Sequence, residues 1–375
     1  FVGDLLEARL LEPHPLQGKM EANAGTHDAI PSNGVCSGTY PDETASVGRD
    51  GRPNGRWLLD DPVEIACGGI PSADALRREG PRGTAPSAGL VDPDGDSAEW
   101  PAATSTLSAM AGYEVRSVAR GGLSLWVEVF PAEGPACLLV GGAGAISAFW
   151  PDTFCSELAS SGYQVIRYDH RDTGNSSFVD FETAPYGLMD LVGDALAILD
   201  DCGERSAHIV GHSMGGFIAQ LVAIRHRDRV LSLTSVSSHT ASPHVPPPPA
   251  STWDVLLANQ PVGDLEQDLA GYLEVWRFLN GELAFDQSMA EEYTRELYDR
   301  NPATLPAANH VALQARMEDR GPALRGLDLP ALVIHGEKDP LVPLEGGLQT
   351  AEAIGGSRLV RLPHAGHMFF DESVC

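Results

Sequence analysis

From about Tyr113 onward, short apolar runs alternate with stretches in which apolar residues recur every three or four positions. "YEVRSVA" and "LSLWVEVF" carry β-branched and aromatic residues at strand-like spacing and are joined through Gly121-Gly122, which predicts a strand pair. "ACLLVGG" reads as a short buried strand and "PDTFCSELASSG" as a helix ending at Gly162; "YQVIRYD" reads as a strand and "YGLMDLVGDALAILDDCG" as a helix. The alternation continues through "AHIVGH", "MGGFIAQLVAIRH" and "VLSLTSVS", then resumes with "ALVIHGE", "LEGGLQTAEAIGG" and "SRLVRL". Apolar strands separated by amphipathic helices predict an α/β protein with a mostly parallel central sheet covered on both faces.

Two regions break the pattern. Residues 1–109 are rich in Gly, Pro, Ser and Asp and hold few sustained apolar periods. Such a segment buries too little surface to offset its ordering entropy, so it is expected to be low-complexity and disordered, or foreign to the native protein. Between "SVSSHTASPHVPPPPA" and "GLDLPALV" the sequence turns helix-like, with Trp253, Leu256, Leu257, Tyr272, Val275, Trp276 and Phe278, after a stiff entry at Pro246–Pro249. The expected organisation is a core of residues 110–240 and 326–375 with a helical insertion over 241–325. That insertion either caps the sheet edge or packs as a further helical layer.

Charge narrows the partners. Against 25 Lys and Arg stand 52 Asp and Glu, a net charge of −27, which argues against nucleic acid or an anionic membrane surface. The six cysteines (Cys36, Cys67, Cys137, Cys155, Cys202 and Cys375) form no C-x-x-C pair, so they read as free thiols in a reducing compartment, the cytoplasm, rather than as zinc ligands or a redox dithiol. No run approaches the roughly 18 apolar residues of a membrane span, and "FVGDLLEARL" lacks the features of a signal peptide.

The chemistry centres on "GHSMG", a G-x-S-x-G pattern with a strand before it and a helix after it. Gly211 and Gly215 make room for a strained Ser213, and the N–H of Met214, at the helix start, is a candidate oxyanion donor. A serine hydroxyl needs a base, and the base needs an orienting group. In this kind of sheet they follow in the order Ser, Asp, His, which Asp339 in "LVIHGEKDPLVP" and His367 in "LPHAGH" supply. His364 is the rival base, less favoured because it directly follows Pro363; His335 and His212 read as site-lining or structural. Small residues in "GGAGAIS" point to Ala143 or Gly142 as the second oxyanion donor. No phosphate-binding loop, complete G-x-G-x-x-G or H-E-x-x-H is present, so no metal and no cofactor is expected.

Together, "LLVGGAGAISAFWPDTF", "VIRYDHRDTGNSS", "PYGLMDLVGDALAILD", "AHIVGHSMGG", "LVIHGEKDPLVP" and "LPHAGH" resemble the α/β-hydrolase superfamily, and within it the aclacinomycin methylesterase group, over about residues 112–370. The resemblance implies an α/β-hydrolase fold with a helical cap over roughly 240–325, Ser213 as nucleophile, Asp339 as acid, His367 as base, and oxyanion N–H groups at Ala143 and Met214. It also implies hydrolysis of a carboxylic ester, a methyl ester or one with a small to medium acyl group. The candidate substrate contacts are Gly142, Gly144, Trp150, His212 and Trp276. A lactonase on the same triad is the near alternative, and a non-catalytic binding protein of the same fold the distant one. Haloalkane dehalogenase and epoxide hydrolase readings require Asp where Ser213 stands. Two departures matter: Ala143 and Gly144 replace the Gly and Asn of the methylesterase, and the chain ends soon after His367, which suggests a missing final helix. Met110 lies where relatives begin, so the preceding segment is expected to be read-through sequence.

Overall fold

The eight apolar runs pair into one sheet in the computed structural model, which describes residues 112–300, 306–314 and 317–371. The expectations for residues 1–109 lie outside the described residues. The strands are β1 (Glu114–Arg120), β2 (Leu123–Phe130), β3 (Ala136–Val140), β4 (Gln164–Tyr168), β5 (Ala207–His212), β6 (Val230–Val236), β7 (Ala331–Gly336) and β8 (Arg358–Leu362), in the order β1-β2-β4-β3-β5-β6-β7-β8. β2 runs antiparallel to β1 and β4, and the remaining pairs are parallel.

Helices α1 (Asp152–Ser160), α2 (Leu188–Asp201) and α3 (Met214–Arg225) connect the central strands. Alternation along each strand sends side chains to opposite faces. Leu138, Val140, Ile166, Ile209 and Leu233 meet α2 and α3 through Leu191, Ile198, Phe217 and Ile218 on one face. On the other, Cys137, Leu139, Val165 and Val210 meet Phe154, Cys155 and Leu158 of α1. Nine of the twelve residues of α3 are buried, which explains why its sequence is apolar all round rather than striped.

Between β6 and β7 lie α4 (Ala250–Ala258), α5 (Leu265–Leu279), α6 (Gln287–Arg300), α7 (Pro306–Gln314) and the short α8 (Gly321–Leu324); α9 (Leu344–Ala353) then leads to β8. Val275, Leu279, Ala290, Tyr293 and Leu297 of α5 and α6 share a cluster with Ile146, Met368 and Phe370. The inserted helices therefore pack on the loops that follow β3 and β8. Because the chain passes from β3 to β4 on one side and to β5 on the other, the loops after β3 and β5 border a crevice at the carboxyl ends of the strands, where open α/β sheets bind ligands. Among the described residues no helix is long and apolar enough to cross a membrane.

A buried charge network ties the antiparallel edge to the insertion. Arg167 Nε donates to Glu128 Oε2 at 2.6 Å and its Nη2 to Asp152 Oδ1 at 2.5 Å, and a further nitrogen bonds the Trp150 carbonyl. Arg300, at the end of α6, reaches Glu128 Oε1 at 3.3 Å and Ser147 Oγ at 2.9 Å. Burial pushes the Glu128 carboxyl up, but Arg167 and Arg300 outweigh it and hold the group below its ordinary value. Removing Arg167 leaves the fully buried Glu128 carboxylate with the longer 3.3 Å contact to Arg300 in place of two cations. Arg167→Met is therefore expected to cost about 3 kcal/mol in urea unfolding, and Glu128→Leu added to it to recover part of that loss. Additive losses in the double variant contradict this account.

Candidate active site

Ser213 stands between β5 and α3 with φ 53° and ψ −118°, a left-handed conformation that a non-glycine residue holds only under constraint. The surroundings supply that constraint. Its N–H donates to the Val236 carbonyl at 2.9 Å, while its carbonyl accepts from Gly216 N–H at 2.9 Å and from Ser238 Oγ at 2.8 Å. The flanking glycines are there for close approach. A Cβ on Gly211 would lie 2.2 Å from the Gly215 carbonyl oxygen, and one on Gly215 would lie 2.1 Å from the Val140 oxygen.

The loop after β3 lies directly beside this corner. A Cβ on Gly142 would sit 3.3 Å from Ser213 Cβ and 3.1 Å from His212 Nδ1. Ala143 is half-buried, and among the described residues no acceptor takes its N–H. Met214 is the first residue of α3, where the N–H has no partner within the helix. The Gly144 N–H donates instead to His310 Nδ1 at 3.0 Å.

The loops after β7 and β8 bring Asp339 and His367 together. Asp339 Oδ2 lies 2.8 Å from His367 Nδ1, and both side chains are buried. Asp339 Oδ1 accepts from the N–H groups of Leu341 and Val342, each at 2.8 Å. One carboxylate thus both builds the turn around Pro340 and faces the imidazole. Burial pushes its carboxyl up, yet His367, His335 and the Val342 N–H together hold it below the ordinary value. The rival His364 lies elsewhere, exposed and 3.2 Å from Glu282.

Small residues before His367 serve contact rather than looseness. A Cβ on Gly366 would lie 2.1 Å from the Leu279 oxygen, and that carbonyl accepts the N–H groups of His367 at 2.6 Å and Met368 at 3.0 Å. The loop carrying His367 is thereby tied to the end of α5. His212 supports the same loop: its Nε2–H donates to the His367 carbonyl at 2.9 Å, and its ring stacks on Phe149 with centroids 4.5 Å apart. Burial, then the neighbouring His367, lowers its pKa to about 3, so it is neutral. His335 donates to the Val342 carbonyl at 2.9 Å behind Asp339.

Trp150 and Trp276 are placed in packing roles. Trp150 is buried and stacks on Phe154 with centroids 5.6 Å apart. Trp276 stacks on Tyr272 and donates to Thr294 Oγ1 at 2.9 Å within the insertion. A cavity of about 460 Å³ is walled by Phe149, Trp150, Phe154, Met289, Tyr293 and Phe370, with Asp152, Asp286, Glu292 and Glu296 among its polar lining.

Residues 135–374 match the family described as the alpha/beta hydrolase fold. The chain belongs to the α/β-hydrolase family. Among its relatives, the rhodomycin D methylesterase DauP of Streptomyces sp. (strain C5) is 36% identical over 276 residues, covering 67% of this chain and 91% of the relative. The rhodomycin D methylesterase DnrP of Streptomyces peucetius is 34% identical with the same coverage. These relatives bear out the methylesterase resemblance drawn from the motifs. In structure, the α/β-hydrolase chain is similar to a hydrolase from Pseudomonas aeruginosa PA01, at TM-score 0.54 and 27% identity over 68% of this chain and 91% of that one. It shares the fold of an esterase from Exiguobacterium antarcticum, at TM-score 0.57 and 21% identity over 70% and 95% of the two chains.

Sequence reasoning missed the supports of this α/β-hydrolase site: His310, His170, Leu279 and Arg300. The motif "YDHRDTG" contained His170, but nothing in "AANHVALQ" distinguished His310 from an ordinary helical histidine. The glycine contacts yield a direct test. Gly211→Ala and Gly215→Ala are expected to lower the urea midpoint, each by about 1–3 kcal/mol of stability. Gly355→Ala, where a Cβ meets nothing within 4 Å and φ is not positive, is expected to stay within about 0.5 kcal/mol. Equal behaviour of all three contradicts the close-approach argument.

Proposed function

We propose that this α/β-hydrolase is a serine esterase that cleaves carboxylic esters through an acyl-enzyme. The observation that carries the reading is the buried Asp339 Oδ2–His367 Nδ1 contact of 2.8 Å, at the same sheet edge as Ser213 with φ 53°. With Nδ1 bonded to Asp339, Nε2 is the nitrogen of His367 left to accept a proton from Ser213. Ser213 Oγ attacks the ester carbonyl as His367 takes its proton, and Asp339 holds the imidazolium that forms. The tetrahedral oxyanion accepts from the N–H groups of Ala143 and Met214. Its collapse expels the alcohol, which takes the proton from His367. Water, deprotonated in turn by His367, then releases the acid and restores Ser213.

The relatives named as methylesterases support a methyl ester as the substrate class. Of the expected substrate contacts, Gly142 borders the reacting serine, and Gly144 follows the Ala143 donor. We assign His212, Trp150 and Trp276 to support, because each is engaged in the packing described above. The helices over 241–325 serve as a cap, a reading supported by their packing on the loops after β3 and β8. We also place the protein in the cytoplasm, consistent with the free buried thiols Cys137 and Cys155.

A panel of p-nitrophenyl esters, aryl methyl esters and acyl lactones tests the reaction. Turnover is expected with esters, with Ser213→Ala losing about 10⁶-fold and Asp339→Asn about 10⁴-fold in kcat, and the circular dichroism unchanged. Full activity in folded Ser213→Ala overturns the mechanism. Lactone turnover exceeding that of every ester overturns the substrate class.

A further inference from the structure

Three consecutive peptide planes in the loop after β3 are each held by a separate hydrogen bond. The Gly141 carbonyl accepts from His170 Nε2 at 3.0 Å. The Gly142 carbonyl accepts from Ala145 N–H at 3.3 Å, closing a turn whose third residue, Gly144, has φ 72°. A positive φ at that position is the mark of a type II turn, in which the central peptide is reversed relative to type I. The Gly144 N–H belongs to that central peptide, and it donates to His310 Nδ1 at 3.0 Å. The middle plane of the three carries the Ala143 N–H. In a planar trans peptide that N–H points opposite the Gly142 carbonyl, so fixing the planes on either side fixes its direction.

His310 is suited to this task by its own bonding. It is fully buried in α7, and its Nε2–H donates to the Arg171 carbonyl at 2.9 Å. Both nitrogens are then satisfied in a single neutral tautomer, with Nδ1 available only as an acceptor. Burial, with His170 nearby, lowers its pKa to about 3, in keeping with that tautomer. The helix is further held by Asn309 Nδ2, which donates to Asp172 Oδ2 at 2.9 Å. Arg171, whose carbonyl receives the His310 proton, is itself clamped by Asp194 at 2.6 and 2.7 Å.

We propose that His310 is a positioning residue for the oxyanion hole: by accepting the Gly144 N–H, it holds the loop after β3 in the turn that aims the Ala143 N–H beside Ser213. The proposal rests on the esterase reading for its effect on rate, and on the hydrogen bond alone for its effect on the loop. An apolar ring of similar size keeps the packing but offers no acceptor. An asparagine restores a carbonyl near the place of Nδ1.

The test compares wild type, His310→Phe and His310→Asn by kinetics per folded enzyme and by hydrogen exchange of the peptide spanning residues 138–150. In His310→Phe, kcat for a p-nitrophenyl ester is expected to fall about 10- to 100-fold with KM within about twofold, because the lost donor geometry matters most in the transition state. The same peptide is expected to exchange faster. His310→Asn is expected to recover kcat to within about fivefold of wild type and to restore protection. If the Phe variant does not fold, His310→Asn decides: a folded Asn variant that loses more than about tenfold in kcat, or loses loop protection, overturns the proposal. So does unchanged kcat or unchanged exchange in folded His310→Phe. If the wild type turns over no ester, the esterase reading fails, and the exchange measurement still decides whether His310 holds the loop.

Discussion

The site depends on a single steric constraint, the passage of α3 over the end of β3. With Gly215 only as large as a hydrogen at its Cα, the first turn of α3 presses against the Val140 and Gly141 carbonyls. That contact puts Ser213 in its left-handed conformation, brings Met214 to the head of a helix, and sets the serine beside Gly142. Strain of this kind costs on the order of 1–3 kcal/mol and persists only where the surroundings over-determine it. Here three hydrogen bonds to the Ser213 backbone and a helix with nine of its twelve residues buried do so.

Around that corner the proposed active groups come from four separate loops, and two of those loops hang on residues given no chemical step. Ser213 follows β5; the loop after β3 is braced by His170 and His310; Asp339 follows β7 and closes its own turn; His367 follows β8 and hangs from the Leu279 carbonyl. Two of those anchors, Leu279 and His310, belong to the insertion between β6 and β7. The inserted helices therefore help to hold the loops of the candidate site. Arg300 adds a third tie, since it joins α6 to Ser147 and to the buried Glu128.

Much of this was legible in the sequence because it is local. Strand and helix periods located all eight strands, and the glycines flanking Ser213 announced the tight turn. Asp339 and His367 followed from order alone, and the geometry joins the two. What escaped was whatever depends on distant neighbours. Strand order is decided by pairing across the whole chain. His310 meets Gly144 across 166 residues, and no feature of its own helix foretells that partner. Trp150 and Trp276 were expected to touch substrate; Trp150 stacks on Phe154 and walls the cavity beside Phe149, and Trp276 stacks on Tyr272. At Gly366 the close passage of the Leu279 carbonyl excludes a side chain, a contact that nothing in "LPHAGH" foretells.

The central claim is that Ser213 is the one activated nucleophile. Intact-mass measurement followed by peptide mapping, after treatment with a serine-directed organophosphate, tests it most directly. The account predicts one adduct per chain, on the peptide containing Ser213, and none in the Asp339→Asn variant over the same interval. An adduct on another serine, such as Ser237 or Ser238, or an enzyme that turns over ester while remaining unmodified, contradicts it.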